Sequence, residues 1–204
     1  MSYVRLSEAA APSTPASGKV VVYAKTDGLI YGKDDAGTET QLSNTSVTIN
    51  IKTPATTTSG TAIDITPIPS GTKYIVLSLY GVSTSGTSNL IVQIGDSGGI
   101  ETSGYTTAVC AYNGTGMANK TDGWNMHLGV AAAGAYYGSL VISLVDSSTN
   151  SWCGFGQLNN NNSAYMCHCV GGKDLSSELT QIRLTTAGGS DTFDAGKINI
   201  LYMG

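Results

Sequence analysis

Short runs of alternating apolar and polar residues recur along most of the chain, each ended by Gly, Ser, Asn, Asp or Pro, and no stretch repeats with the helical period. From residue 46 onward the runs 46–51, 62–66, 74–80, 90–94, 105–112, 124–130, 137–145, 152–158, 164–170, 181–185 and 197–203 each predict a strand. Many short strands without helices between them predict an all-β body, an antiparallel β-sandwich of jelly-roll type. Within 140–145, Leu140, Ile142 and Leu144 point one way and Val141, Ser143 and Val145 the other, so one face belongs to a core. The second face is also apolar in places, at Tyr74, Val76, Tyr80, Leu201 and Met203. Two explanations stand: contact with another subunit, or burial between two sheets. The strand over 197–203 is too apolar for a loose chain end and is expected inside a sheet.

The first part of the chain is patterned differently. Residues 1–18 hold an alanine cluster and Pro12 and Pro15, with no sustained period, and predict an extended arm that needs a partner surface to become ordered. The runs KVVVYAK (19–25) and LIYGK (29–33) flank Thr26, Asp27 and Gly28, and Asp-Gly favours a tight hairpin turn. A second turn is expected at Asp34 to Gly37, followed by a Ser/Thr/Asn-rich stretch through Asn44. A boundary near residue 45 divides the chain into an arm and hairpin, 1–45, and a sandwich, 46–204.

Composition narrows the function. Only 12% of the 204 residues are charged, about half the usual share, and 41% are hydrophobic, which is enough for a core and too apolar for disorder. Lys and Arg number 10 against 14 Asp and Glu, a net charge of -4, which gives no footprint for nucleic acid or an anionic membrane. No apolar run reaches membrane-spanning length and the first residues lack a secretory pattern, so neither export by that route nor membrane insertion is expected. Cys110, Cys153, Cys167 and Cys169 are read as reduced thiols on strands. Cys167 and Cys169 share one strand face with His168 opposite, so they are weighed as buried small hydrophobes ahead of a metal pair lacking two further ligands. No cofactor is expected.

Several motifs imitate chemistry. Gly95, Asp96, Ser97, Gly98 and Gly99 copy the surroundings of a serine-protease nucleophile, but no histidine precedes Ser97 to act as base. A Gly-rich turn after the 90–94 strand explains them. Paired carboxylates could cleave polysaccharide, yet most acids here sit beside Gly, Ser or Asn, where they cap turns. Asp191 and Asp194 in GGSDTFDAG lack the ligand pattern of a known calcium loop. Trp124 and Trp152, with amides such as Asn160 in the run 159–162, form a candidate glycan-stacking set, weighed below core packing or subunit contact. A weakly charged Thr/Ser/Asn/Gly surface tolerates close contact with copies of itself or with a larger assembly, which favours a structural role.

The stretch PSTPASGKVVVYAKTDGLIYGKDDAGTETQL (12–42) resembles a short β-hairpin module near the amino termini of tailed-bacteriophage virion proteins. Pro12, Pro15, Tyr23, Lys25, Asp27, Gly28 and Tyr31 lie in it and are the virion-docking residues that the resemblance implies. IGDSGGIETSGY (94–105) and LTQIRLTTAGGSDTFDAGKINILYM (179–203) look like a sandwich module from the carboxy-terminal ends of phage fibre proteins. The resemblance implies a non-enzymatic, homotrimeric virion protein that contacts capsid or tail proteins. Fibres of this kind usually carry a long shaft, whereas residue 45 passes almost directly into the sandwich. A short reach points to capsid cement or head decoration, with a short receptor-binding tail fibre, contacting a host surface glycan, as the alternative and an envelope depolymerase as a third.

Overall fold

The computed structural model describes residues 4–42, 48–112, 116–132, 134–162 and 165–204. Among them there are eighteen strands and no helix. The chain divides into two compact units, Met1–Val47 and Thr48–Gly204. The boundary expected near residue 45, the start of the strand expected over 46–51 and its counterpart Ala164 lie outside the described residues.

The first unit is a four-stranded sheet in the order β1 (Glu8–Ala9), β2 (Val21–Lys25), β3 (Ile30–Lys33), β4 (Glu39–Gln41). The β2–β3 hairpin closes at Asp27 and Gly28, as the sequence predicts. Gly28 N–H donates to the Lys25 carbonyl at 3.0 Å, and Gly28 takes a φ of 81°, which a side chain would resist. The Asp34 carboxylate accepts N–H bonds from Ala36 and Thr38, which shapes the second turn. One expectation is corrected here. The arm was expected to need a partner surface, but Glu8–Ala9 pairs in parallel with Ala24 and Lys25 of its own hairpin. The Pro12 carbonyl accepts from Lys33 Nζ at 3.0 Å, and Gly18 N–H donates to Asp35 at 2.6 Å. An edge strand presents unpaired backbone groups, and here the chain's own N-terminal segment covers β2 at Ala24 and Lys25.

The second unit holds β5 (Ile49–Ile51), β6 (Ala55–Thr56), β7 (Ala62–Ile65), β8 (Tyr74–Thr84), β9 (Leu90–Asp96), β10 (Gly99–Ile100) and β11 (Thr106–Ala111). It continues with β12 (Gly116–Lys120), β13 (Trp124–Asn125), β14 (Tyr136–Asp146), β15 (Ser151–Asn160), β16 (Met166–Asp174), β17 (Gln181–Thr186) and β18 (Phe193–Met203). One sheet has nine strands in the order β12-β11-β16-β15-β14-β8-β18-β5, with β6 also on β18. The other has five, β10-β9-β17-β7 with β13 on β9. All pairings in this unit are antiparallel, so the sandwich expectation holds. A jelly roll is built from two Greek keys. The run β14-β15-β16 is a meander within one sheet, and the pairings show the sandwich without showing two Greek keys.

The core lies between the sheets. Ile75, Leu77, Leu140, Ile142, Ile198 and Ile200 from the large sheet meet Val92, Ile94, Ile182 and Leu184 from the small one in a single buried cluster. β18 lies inside its sheet, between β8 and the pair β5 and β6. On β15 the inward positions run Trp152, Gly154, Gly156, Leu158. The two glycines make room for what packs over them. A Cβ on Gly154 would stand 2.7 Å from an Ile142 methyl and 3.1 Å from the Trp124 ring, and one on Gly156 would stand 3.0 Å from the Met126 methyl. Trp124 fills that space with an edge-to-face contact to Tyr105, centroids 5.3 Å apart.

One ion pair is nearly internal. Lys173, 8% exposed, meets the Glu101 carboxylate and lies over the Tyr105 ring at 5.4 Å. Removing one partner of such a pair strands a buried charge, whereas an apolar replacement of the buried member does not. We expect Glu101→Gln to cost about 3 kcal/mol in urea unfolding and Lys173→Met clearly less. Equal losses would show that the ammonium is effectively solvated.

Candidate functional site

The residues assigned to docking by resemblance direct several of their polar groups into their own hairpin unit. Tyr23 is buried and stacks on Tyr31 at 6.1 Å. Lys25 reaches Glu39 at 2.7 Å and lies over the Tyr31 ring. That ammonium holds the Glu39 carboxyl below the usual carboxylate range. The Asp27 carboxylate accepts the Leu29 N–H at 3.0 Å and the Tyr31 hydroxyl at 2.9 Å, and these bonds, the backbone one first, lower its pKa. Pro12 and Pro15 are half-buried, and the Gly28 backbone makes the turn. These groups form the hairpin's scaffold. The opposite face of the same sheet carries exposed Val22 and Ile30, with Leu42 against Gly32. Sequence alternation marks this face at Val22 and Ala24, while Tyr23, Lys25 and Tyr31 lie on the other.

The glycan-stacking set is corrected by burial. Trp124 is 0% exposed and donates Nε1–H to the Gly171 carbonyl at 3.3 Å, so its ring cannot lie flat on a sugar. Trp152 is 3% exposed and lines a separate cavity of about 190 Å³. Asn160 is also buried. Its Nδ2 donates to the Tyr136 hydroxyl at 3.1 Å and its Oδ1 accepts the Asn162 N–H at 2.9 Å. Aromatic residues on inward strand positions contribute more as core than as platforms.

What the fold builds nearby is a groove of about 730 Å³, lined by Tyr112, Asn159, Asn160, Asn161, Asn162, Tyr165 and Met166. It sits where β15 ends, β16 begins and β11 runs out. Its walls are tied from behind. Asn161 Oδ1 accepts the Ala135 N–H at 2.9 Å, and the Tyr165 hydroxyl donates to the Leu128 carbonyl at 3.2 Å. Tyr112 is 66% exposed and braced edge-on against His168, centroids 5.1 Å apart. Asn159 is exposed, and its amide has no hydrogen-bond partner among the described residues.

Cys167 and Cys169 are buried, with the His168 ring on the opposite face, as the period-two reading has it. Burial pushes the Cys169 thiol up to about 12, so it stays protonated and packs as an apolar group. In the Gly95–Gly99 stretch, Asp96 does structural work. Its carboxylate accepts the Ser176 hydroxyl at 2.6 Å, the Gly98 N–H at 2.7 Å and the Ser177 N–H at 2.9 Å. These bonds, led by Ser176, hold its pKa down. Asp191 accepts the Ser88 N–H, Glu178 the Gly71 N–H and Asp146 the Ser148 N–H, while Asp64 pairs with Arg183.

The outer face of the nine-stranded sheet carries the second feature. Strand register sets Ala108, Val170, Phe155, Val141, Val76, Leu201 and Ile51 directly opposite one another, an unbroken apolar row across seven strands. Val170 is 55%, Phe155 62% and Ile51 72% exposed. The parallel row Cys153, Ser143, Tyr74, Met203, Ile49 flanks it. Beside Phe155 a dimple of about 160 Å³ opens between Ser139, Val141, Gln157 and His168. At about 4.8 Å per strand, seven strands span roughly 29 Å, and with flanking rows the footprint is on the order of 600 Å². Tyr74, Val76, Leu201 and Met203 were visible in the sequence, but their alignment with Phe155 and Val170 depends on register.

Comparison with protein families, characterised proteins and solved structures finds no match for this chain.

Proposed function

We propose that the chain is a non-enzymatic structural protein of a tailed-bacteriophage particle. In this reading the sandwich assembles as a homotrimer through the outer face of its nine-stranded sheet, and the N-terminal unit docks on the virion. The observation that carries it is the apolar row from Ala108 to Ile51, uncovered in the single chain. Its footprint approaches the roughly 800 Å² per partner of a stable interface, and large exposed apolar patches mark contact surfaces. The non-enzymatic part is supported by the acids, since Asp27, Asp34, Asp96, Asp146, Asp191 and Glu178 accept backbone N–H bonds at turns. The phage assignment rests on the two stretches of resemblance.

Docking by a preformed surface replaces docking by a loose arm, because β1 already pairs with β2. The exposed Val22 and Ile30 are the contact. With no shaft between the units, capsid cement or head decoration is the better placement. A short receptor-binding tail fibre is the second reading, favoured by the groove at Tyr112 and Asn159. Removing residues 1–42 should leave a folded, soluble sandwich that no longer joins particles. Cryo-electron microscopy of particles assembled with the full chain should show trimers at regular shell positions. Density confined to the tail tip would move the assignment to the fibre, and release of reducing ends from host envelope would replace it with an enzyme.

A further inference from the structure

We propose that the groove formed by Tyr112, Asn159, Tyr165 and Met166 binds a neutral saccharide. Its volume, about 730 Å³, falls within the roughly 300–1,000 Å³ of small-ligand sites. Among the described residues the lining is two tyrosines, four asparagines and one methionine, with no charged side chain. An amide offers both donor and acceptor and so pairs with hydroxyls of either sense, while aromatic faces and a thioether suit the C–H face of a sugar ring. An anionic ligand would find no cation in this lining.

The geometry also separates walls from contacts. Asn160 commits both ends of its amide, to Tyr136 and to the Asn162 backbone, Asn161 commits its Oδ1 to the Ala135 N–H, and Tyr165 commits its hydroxyl to Leu128. A wall held by its own bonds loses little freedom on binding, which favours affinity. Asn159 keeps its amide, and Tyr112 keeps an exposed ring whose edge is fixed by His168. These two supply the hydrogen bonding and the stacking. Asn159 lies four residues along β15 from Phe155, roughly 13 Å at strand rise, so groove and apolar row can be occupied together.

The test uses the purified full chain with cellotriose, maltotriose, mannotriose and chitotriose, and with trigalacturonate and adenosine as an anionic and a flat heterocyclic contrast. Saturation-transfer NMR and calorimetry at millimolar ligand should show at least one neutral trisaccharide bound and neither contrast. Tyr112→Ala should weaken that binding at least tenfold and Asn159→Ala several-fold, with thermal midpoints unchanged because both side chains are exposed. Arg183→Ala, on the other sheet, should leave it intact. Absence of binding by all four neutral sugars, stronger binding of a contrast, or indifference to both groove substitutions would overturn the proposal. The outcome is independent of where the protein sits on a particle, since it is read on the isolated chain.

Discussion

If the sandwich assembles as the proposed homotrimer, an aspartate in place of Phe155 should leave it monomeric. Phe155 stands at the centre of the apolar row, flanked in register by Val141 and Val170, and its ring is 62% exposed in the single chain. In the proposed trimer that ring would be enclosed by another copy, beside the dimple of about 160 Å³ lined by Ser139, Val141 and His168. A carboxylate there loses its water without gaining a partner, at a cost of about 3 kcal/mol per subunit, and threefold symmetry brings like charges together. That is at least a 100-fold weakening of assembly. The fold itself should be unaffected, because the position faces solvent in the monomer. Sedimentation at micromolar concentration reads the change, and a β-type circular dichroism spectrum equal to wild type controls for folding. A wild-type chain that is monomeric at tens of micromolar, or a variant still trimeric, would remove this face as the contact.

The second large effect is loss of stability on mild acidification, caused by His127. Its ring is 0% exposed, packed against Tyr136 at 4.9 Å and Tyr165 at 5.2 Å, and neither nitrogen has a hydrogen-bond partner among the described residues. Burial penalises the imidazolium and lowers the pKa from 6.5 to about 4. Below pH 6.5 the unfolded chain takes up the proton while the folded one refuses it until about pH 4. The histidine's contribution is therefore complete above pH 6.5, is lost progressively as pH falls to 4, and amounts to about 3 kcal/mol. Asp96, Asp146 and Glu178, whose pKa values are held down by hydrogen bonds, weaken the fold at lower pH, so the window from 6.5 to 4.5 isolates His127. Urea midpoints across that window should fall for the wild type. His127→Leu, which removes the proton site and two unpaired nitrogens, should give a nearly flat profile. A flat wild-type profile would mean that water reaches the ring.

The sites differ in how far the sequence reveals them. The hairpin turn at Asp27 and Gly28 and the opposed faces of Cys167 and His168 follow from local rules, turn chemistry and period two, that act within a few residues. The order β14-β15-β16 within one sheet could not be read from the sequence, because strand spacing carries no record of which strand lies beside which. The loose arm failed for a related reason: nothing in residues 8–9 announces a parallel pairing with residues 24–25. Trp124 was weighed as a sugar platform and proved to be core, since the space it fills comes from Gly154 and Gly156, about thirty residues further on. The glycines alternating with Cys153, Phe155 and Gln157 in the strand predicted over 152–158 were the available signal, but the sequence does not say which ring they admit.

Alternation and turn residues alone determined that this chain is all-β, has a hairpin near its start and keeps its last strand inside a sheet, because side-chain direction along a strand is a local consequence of backbone pleating. Tertiary structure alone decided which apolar residues meet, which asparagines line a groove and which are spent behind it. Those outcomes depend on register between strands far apart in the chain, and a shift of one residue would turn the row from Ala108 to Ile51 inward.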